Sequence, residues 1–175
     1  MKNVILLAAL LAIFVGGTAR ADILDSVKQQ ATDKAKGAAQ KSVVDKVNAK
    51  LLAEGRRNQC AFKVDKDELE PGCDKKLRSL ASSLIDAKKT LASGGASGGF
   101  RFVVSGHTDS TGDAQHNKEL SQRRADVIAK EMVARGVARD EIRAVGMGSE
   151  RMLVKPDDTA AKKAKNRRYE IQVEI

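Results

Sequence analysis

Two side chains of opposite charge, Asp109 and Arg124, carry the strongest chemical signal in this sequence. Asp109 sits in the polar stretch Ser105-Gly106-His107-Thr108-Asp109-Ser110-Thr111-Gly112, just after an apolar run that reads as a buried strand. Ligands of α/β sheets collect beyond the carboxyl ends of such strands. Arg124 falls in the helical stretch that follows, where Asn117, Leu120, Ser121 and Arg124 are spaced to share one helix face. An acid and an arginine facing one cleft have two uses. They can neutralise each other as a salt bridge, or they can hold a zwitterion, with Asp109 accepting from an ammonium and Arg124 forking a carboxylate. Charge-assisted bonds of this kind contribute roughly 1.5–3 kcal/mol each before ordering costs. Each residue also has a simpler use: Asp109 can close an Asx-turn before Gly112, and Arg124 can be a solvated helix residue.

Other chemistries find less support. His107 and Asp109 together suggest a metal, but no third ligand is spaced to help, and two His with two Cys fall short of a conventional four-ligand zinc site. No G-x-S-x-G or Cys-His arrangement supplies a nucleophile beside a base, so a hydrolase is disfavoured and no cofactor is expected. Aromatic residues make up 3% of the chain, with no Trp and one Tyr, too few for a stacking platform. Nucleic acid is therefore not the expected partner, although 32 basic against 23 acidic residues give a formal charge of +9.

The N-terminus directs that charge elsewhere. Residues 1–21 read as a signal peptide: Lys2 is the basic start, Val4 to Val15 is unbroken apolar chain, and Ala19-Arg20-Ala21 offers a small-x-small cleavage site. The apolar run is shorter than the roughly 20 residues a membrane span needs. No Cys sits just after it, the first being Cys60, so lipid attachment is not expected there. Export from the cytoplasm is therefore expected. Cleavage removes Lys2 and Arg20, leaving a charge of +7. In an oxidising compartment Cys60 and Cys73 are expected to form a disulfide worth roughly 3 kcal/mol by chain entropy, the alternative being two buried thiols.

The elements that must position Asp109 and Arg124 come from hydrophobic periodicity. Residues 22–57 form an N-terminal helical segment, with Ile23, Leu24, Val27, Ala31, Ala35, Ala38, Val43, Val47 and Leu51 recurring at helical steps. Its middle is mostly Ala, so the stripe buries little area. A helix docked weakly on the domain, a self-associating helix and a spacer all fit residues 22–54, and contact with the outer membrane is a weaker option because the face lacks Trp and Phe. The domain then spans residues 58–175. Gln59 to Val64 is a short strand candidate. Pro71 can open a helix at its first position, with a stripe of Leu77, Leu80, Leu84, Ile85, Ala87 and Leu91. Phe100 to Ser105 is a strand, His116 to Arg135 a helix stopped by Gly136, and Ile142 to Val145 a third strand. A short helix over Thr159 to Lys165 precedes a clean alternation, Tyr169, Ile171, Val173 and Ile175, that reads as a half-buried strand. The pattern predicts an α/β fold: a βαβαβ(α)β sandwich, a four-stranded mixed sheet with helices packed on it, its helix-linked strands parallel and the last running either way.

The stretches Gly106-His107-Thr108-Asp109-Ser110-Thr111-Gly112, Asn117-Lys118-Glu119-Leu120-Ser121-Gln122-Arg123-Arg124-Ala125, Gly136-Val137, Gly146-Met147-Gly148 and Asn166-Arg167-Arg168-Tyr169-Glu170-Ile171 together resemble the OmpA C-terminal-like domain family, from about Gln59 to Ile175. The resemblance implies non-catalytic peptidoglycan binding that anchors or organises the cell envelope, with the expected location in the periplasm, associated with the outer membrane or cell wall. The implied ligand is the diaminopimelate of the stem peptide, whose free end carries both an ammonium and a carboxylate. It assigns the ammonium to Asp109 and the carboxylate to Arg124. Asn117 would hold the loop, Arg168 would shape the carboxylate end, and His107 and Thr108 would line the loop. The chain departs from the family pattern at Asp157-Asp158-Thr159, at Lys162-Lys163 and Lys165, and at Lys63. The alternative function is a periplasmic scaffold or assembly protein acting through the N-terminal helix.

Overall fold

The computed structural model describes residues 17–95 and 99–175, with side chains from Ile23 onward. The signal-peptide reading of residues 1–21 therefore lies almost wholly outside the described residues. The elements in chain order are helix α1 (Gly17–Arg57), helix α2 (Asp74–Ser93), strand β1 (Arg101–His107), helix α3 (Ala114–Val133), a 3-10 turn (Arg139–Glu141), strand β2 (Ile142–Gly146), helix α4 (Ala160–Asn166) and strand β3 (Arg168–Glu174).

Gln40–Ile175 form one compact unit, and residues up to Ala39 form a second. In the second unit, Ile23, Leu24 and Val27 are exposed. The last turns of α1 behave differently: Val44, Val47 and Leu51 are buried in the core of the compact unit. The change follows composition. The Ala-rich stretch carries little apolar surface, whereas fully burying a Val or Leu side chain contributes about 1.5–3 kcal/mol.

The sheet has three strands in the order β2-β1-β3, with β1 parallel to β2 and antiparallel to β3. The expected four-stranded sheet is thus corrected to three among the described residues. Gln59 to Val64 makes one isolated bridge, Phe62 to Leu69, and no ladder. The reason lies in what already occupies the edge of β3. The Gln59 side-chain amide donates to Tyr169 O at 2.7 Å and accepts from Tyr169 N at 3.2 Å. Asn48 of α1 does the same at Val173, donating to its carbonyl at 3.2 Å and accepting from its N–H at 2.6 Å. Two side-chain amides thus stand in for a neighbouring strand, satisfying backbone groups that would otherwise be open. Past Gln59 the chain closes on itself through the Cys60–Cys73 disulfide, whose Cα atoms are 5.6 Å apart.

Helix α2 starts at Asp74, later than Pro71 suggests, because Gly72 takes a positive φ of 90° and closes a turn ahead of the helix. Its buried face, Leu77, Leu80, Ala81, Leu84, Ala87 and Leu91, follows the 3.6-residue period, with Ala81 joining the expected stripe and Ile85 only half-buried at its edge. Helix α3 starts before His116 because Asp113 caps it, Oδ1 accepting from His116 N at 2.9 Å. Gly136, at φ 98°, ends its last turn. On β3 the alternation holds through Val173, while Ile175 lies past the strand and is exposed.

The packing of α3 on the sheet sets the geometry of the site. Gly106 and Gly146 are partners in the β1–β2 register. A Cβ at Gly106 would meet Ser121 O at 2.2 Å, and one at Gly146 would meet Gln122 N at 2.5 Å. Only bare backbone lets α3 lie this close to the strand ends. Gln122 locks the contact, accepting from Gly146 N at 2.6 Å, and Ser121 Oγ accepts from Gly148 N at 2.8 Å.

Candidate functional site

A cleft of about 660 Å³ opens where β1 ends, and both Asp109 and Arg124 line it. Its other walls include Phe62, His107, Thr108, Asn117, Lys163, Arg167 and Arg168. All six residues singled out in the sequence are therefore brought to one place.

The acid wall is a loop fixed at several points. One carboxylate oxygen of Asp109, Oδ1, accepts from Thr111 N at 3.0 Å, the Asx-turn geometry. The other, Oδ2, accepts from Arg167 Nη1 at 2.6 Å. Burial raises the Asp109 pKa, but the Arg167 and Thr111 hydrogen bonds outweigh it and hold the carboxyl below its usual range. Asn117 Nδ2 donates to Thr111 O at 2.9 Å, tying the loop to the first turn of α3. On the far side Ser110 donates to Asp157 through its backbone N at 3.0 Å and its hydroxyl at 2.5 Å. These two bonds, aided by Asn166, bring the Asp157 pKa down to about 2. Asn166, fully buried, accepts from Leu153 N and Val154 N and donates to Val154 O and to Asp157 Oδ2.

The basic wall is built on other terms. Arg124 Nε donates to Lys66 O at 2.8 Å and Nη2 to Lys63 O at 3.1 Å, while the Phe62 ring lies 5.1 Å from its guanidinium carbon. Burial, together with the charge of Arg167, lowers the Arg124 pKa, and Asp65 opposes the shift. The direct Asp109–Arg124 salt bridge, one of the two arrangements open from the sequence, is not formed. Arg167 takes that place beside Asp109.

Arg168 lines the cleft, but its guanidinium is committed to Glu170 Oε1 at 2.6 Å and to the carbonyls of Asn166 and Arg151. Sequence reasoning passed over Arg167. Strand alternation carried one step back from Tyr169 would have separated the two arginines, since Arg167 shares parity with Tyr169 and Arg168 with Glu170. His107 and Thr108 are buried, and His107 Nδ1 and Thr108 Oγ1 lack hydrogen-bond partners. Burial, aided by nearby Arg168, lowers the His107 pKa to about 4, so its imidazole is neutral at neutral pH. Both residues line the cleft, while these two atoms are themselves withdrawn from its surface. Among the described residues no cluster of three His, Cys, Asp or Glu side chains is placed to hold a metal, and no helix is long and apolar enough to cross a membrane.

The fold and cleft define a class: an α/β module with a charged cleft at the carboxyl end of its central strand. Comparison with known families matches residues 61–167 to the OmpA family, and the chain belongs to it. Outer membrane porin F of Pseudomonas fluorescens is 37% identical over 113 residues, 65% of this chain and 31% of that protein. The peptidoglycan-binding protein ArfA of Mycobacterium tuberculosis is 45% identical over 73 residues, 42% of this chain and 22% of that protein. The peptidoglycan-associated lipoprotein of Legionella pneumophila is 42% identical over 72 residues, 41% of this chain and 40% of that protein. The chain thus spans less than half the length of each of these relatives. Among solved structures, the peptidoglycan-associated lipoprotein of Burkholderia pseudomallei superposes with a TM-score of 0.54 at 22% identity, over 66% of this chain and 89% of that one. The C-terminal domain of MotB from Helicobacter pylori gives 0.54 at 21%, over 67% and 84%. These two likenesses concern the fold.

Proposed function

We propose that this chain binds peptidoglycan without catalysis, holding the diaminopimelate of the stem peptide between Asp109 and Arg124 in the periplasm. The observation that carries the reading is that one cleft holds a carboxylate and a guanidinium not spent on each other, in a member of the OmpA family. The names of the ArfA and lipoprotein relatives point to the same polymer. In this reading Asp109 exchanges Arg167 for the ligand ammonium, and Arg124 forks the adjoining carboxylate. Asn117 and the Asp157–Asn166 latch keep the acid loop in place, and His107 and Thr108 offer neutral polar contacts. The test is co-sedimentation with purified sacculi. Wild type should pellet, and Asp109→Ala and Arg124→Ala should stay in solution; pelleting of both variants at the wild-type level would refute the assignment.

A second reading rests on the exposed Ile23, Leu24 and Val27 of α1. The first half of that helix serves as a scaffold surface for a partner or a second copy. Light scattering of the chain with and without residues 22–39 checks it; two monomers of unchanged behaviour would count against self-association.

A further inference from the structure

We propose that the loop 61–72, closed at its base by the Cys60–Cys73 disulfide, aims Arg124 into the cleft, so that affinity for the ligand carboxylate depends on that disulfide being formed. The inference rests on the stem-peptide reading of the cleft and adds a positioning element to it.

A guanidinium offers two edges that can fork a carboxylate, Nε with Nη2 and Nη1 with Nη2. In Arg124 the first edge is occupied by Lys66 O and Lys63 O. The Phe62 ring covers part of one face. Nη1 makes no hydrogen bond among the described residues, so the Nη1–Nη2 edge is the one left to a ligand. The loop therefore selects which edge is presented and holds the long side chain still.

Both accepting carbonyls belong to one tight turn. Lys66 N donates to Lys63 O at 3.1 Å, Lys63 N to Glu68 O at 2.9 Å, and Asp65 between them has a positive φ of 53°. Little apolar burial holds that turn: most of loop 61–72 is exposed, with Phe62, Asp67 and Leu69 half-buried. Its fixed points are the disulfide, the Phe62–Leu69 bridge and a contact from His116 Nε2 to Asp65 Oδ1 at 2.7 Å. Opening the disulfide frees the base of the loop, spreads the two carbonyls and returns rotamer freedom to Arg124. A ligand must then order that side chain itself.

The experiment compares the oxidised full chain with the Cys60→Ser/Cys73→Ser double variant. The probe is a purified muropeptide ending in meso-diaminopimelate, read by calorimetry, and the Arg124 Nε–H resonance is followed by NMR in ligand-free protein. The expected result is a three- to tenfold weaker affinity, the scale of immobilising one long side chain, with an Nε–H that exchanges slowly in the oxidised chain and rapidly in the variant. Arg124→Ala should cost less in the double variant than in the oxidised chain. Phe62→Ala keeps the disulfide and should give a smaller loss in the same direction, a check that survives if the double variant does not fold. Unchanged affinity in both variants, or an unchanged Nε–H, overturns the proposal. If the oxidised chain fails to bind the muropeptide, the stem-peptide reading falls, and the Nε–H comparison by itself decides the role of the loop.

Discussion

The two walls of the cleft satisfy their charges in opposite ways. Asp109 is neutralised by a full charge, Arg167, whose own side chain is 46% exposed. Arg124 is solvated by neutral carbonyls and a ring, supplied by a loop 58 and 61 residues away in sequence. An ion pair is exchangeable: an arriving ammonium can replace Arg167 at the carboxylate with little net change in charge. A guanidinium held by carbonyls keeps its positive charge without a direct ion pair among the described residues, half withdrawn from water. In the proposed function the acid wall would serve exchange and the basic wall capture.

The sharpest way to break that contrast is at Arg124. Arg124→Ala should weaken muropeptide binding by about 2–3 kcal/mol, since it removes a charge-assisted fork, while Arg124→Lys should recover less than half, because an ammonium cannot hold the loop carbonyls and fork a carboxylate together. Calorimetry with both variants measures it. Asp109→Asn should cost less, about 1–2 kcal/mol, because in the free protein Arg167 already occupies the site and its release offsets part of the loss. The same exchange sets the pH dependence. Asp109 has a lowered pKa in the free protein, so binding is present above its usual carboxylate range and falls as acid protonates it. Arg167→Ala removes the partner that lowers that pKa, and the fall should move to higher pH, read from affinity between pH 3 and 6, a window set about the ordinary carboxylate value.

Support of the acid wall comes next. Asn166→Ala should lower stability by about 2–4 kcal/mol, because it strands buried backbone groups of Leu153 and Val154, and denaturant unfolding checks it. Asp157→Asn tests the same latch through its pH dependence. A pKa depressed to about 2 gives stability present above the ordinary carboxylate range and lost as pH falls through about 2. The gap between wild type and variant should therefore close over that interval. The smallest effect is expected at Lys163, which is half-exposed at the rim. Lys163→Ala should change affinity less than about threefold at low salt and not at all at high salt.

What could be read from the sequence was what short-range periodicity encodes. The α2 stripe, the Phe102-Val103-Val104 run, the common face of Asn117 and Arg124 and the Gly136 stop all depend on neighbours a few positions apart, and all are found. What escaped depends on partners far along the chain. The Gln59 amide that fills the β3 edge reaches across 110 residues, and nothing local distinguishes it from a strand residue. Arg124 finds its acceptors in a loop closed by a disulfide and turned at a left-handed Asp65. The choice of Arg167 over Arg168 turned on strand parity at an element boundary, where periodicity is weakest. Asp157, seen only as a departure in type, proved to be half of a latch between two loops.

The paired Gly106 and Gly146 act as the gauge of the cleft. They bring α3, and with it Arg124, to a separation from the β1 loop fixed by main-chain contact, with no side chain acting as spacer. A single methyl at either position would wedge the helix outward and widen the gap between the charges. If the proposed zwitterion binds here, the span that fits is set by two absent side chains, and the means of resizing the cleft lies in the helix–strand contact beneath it.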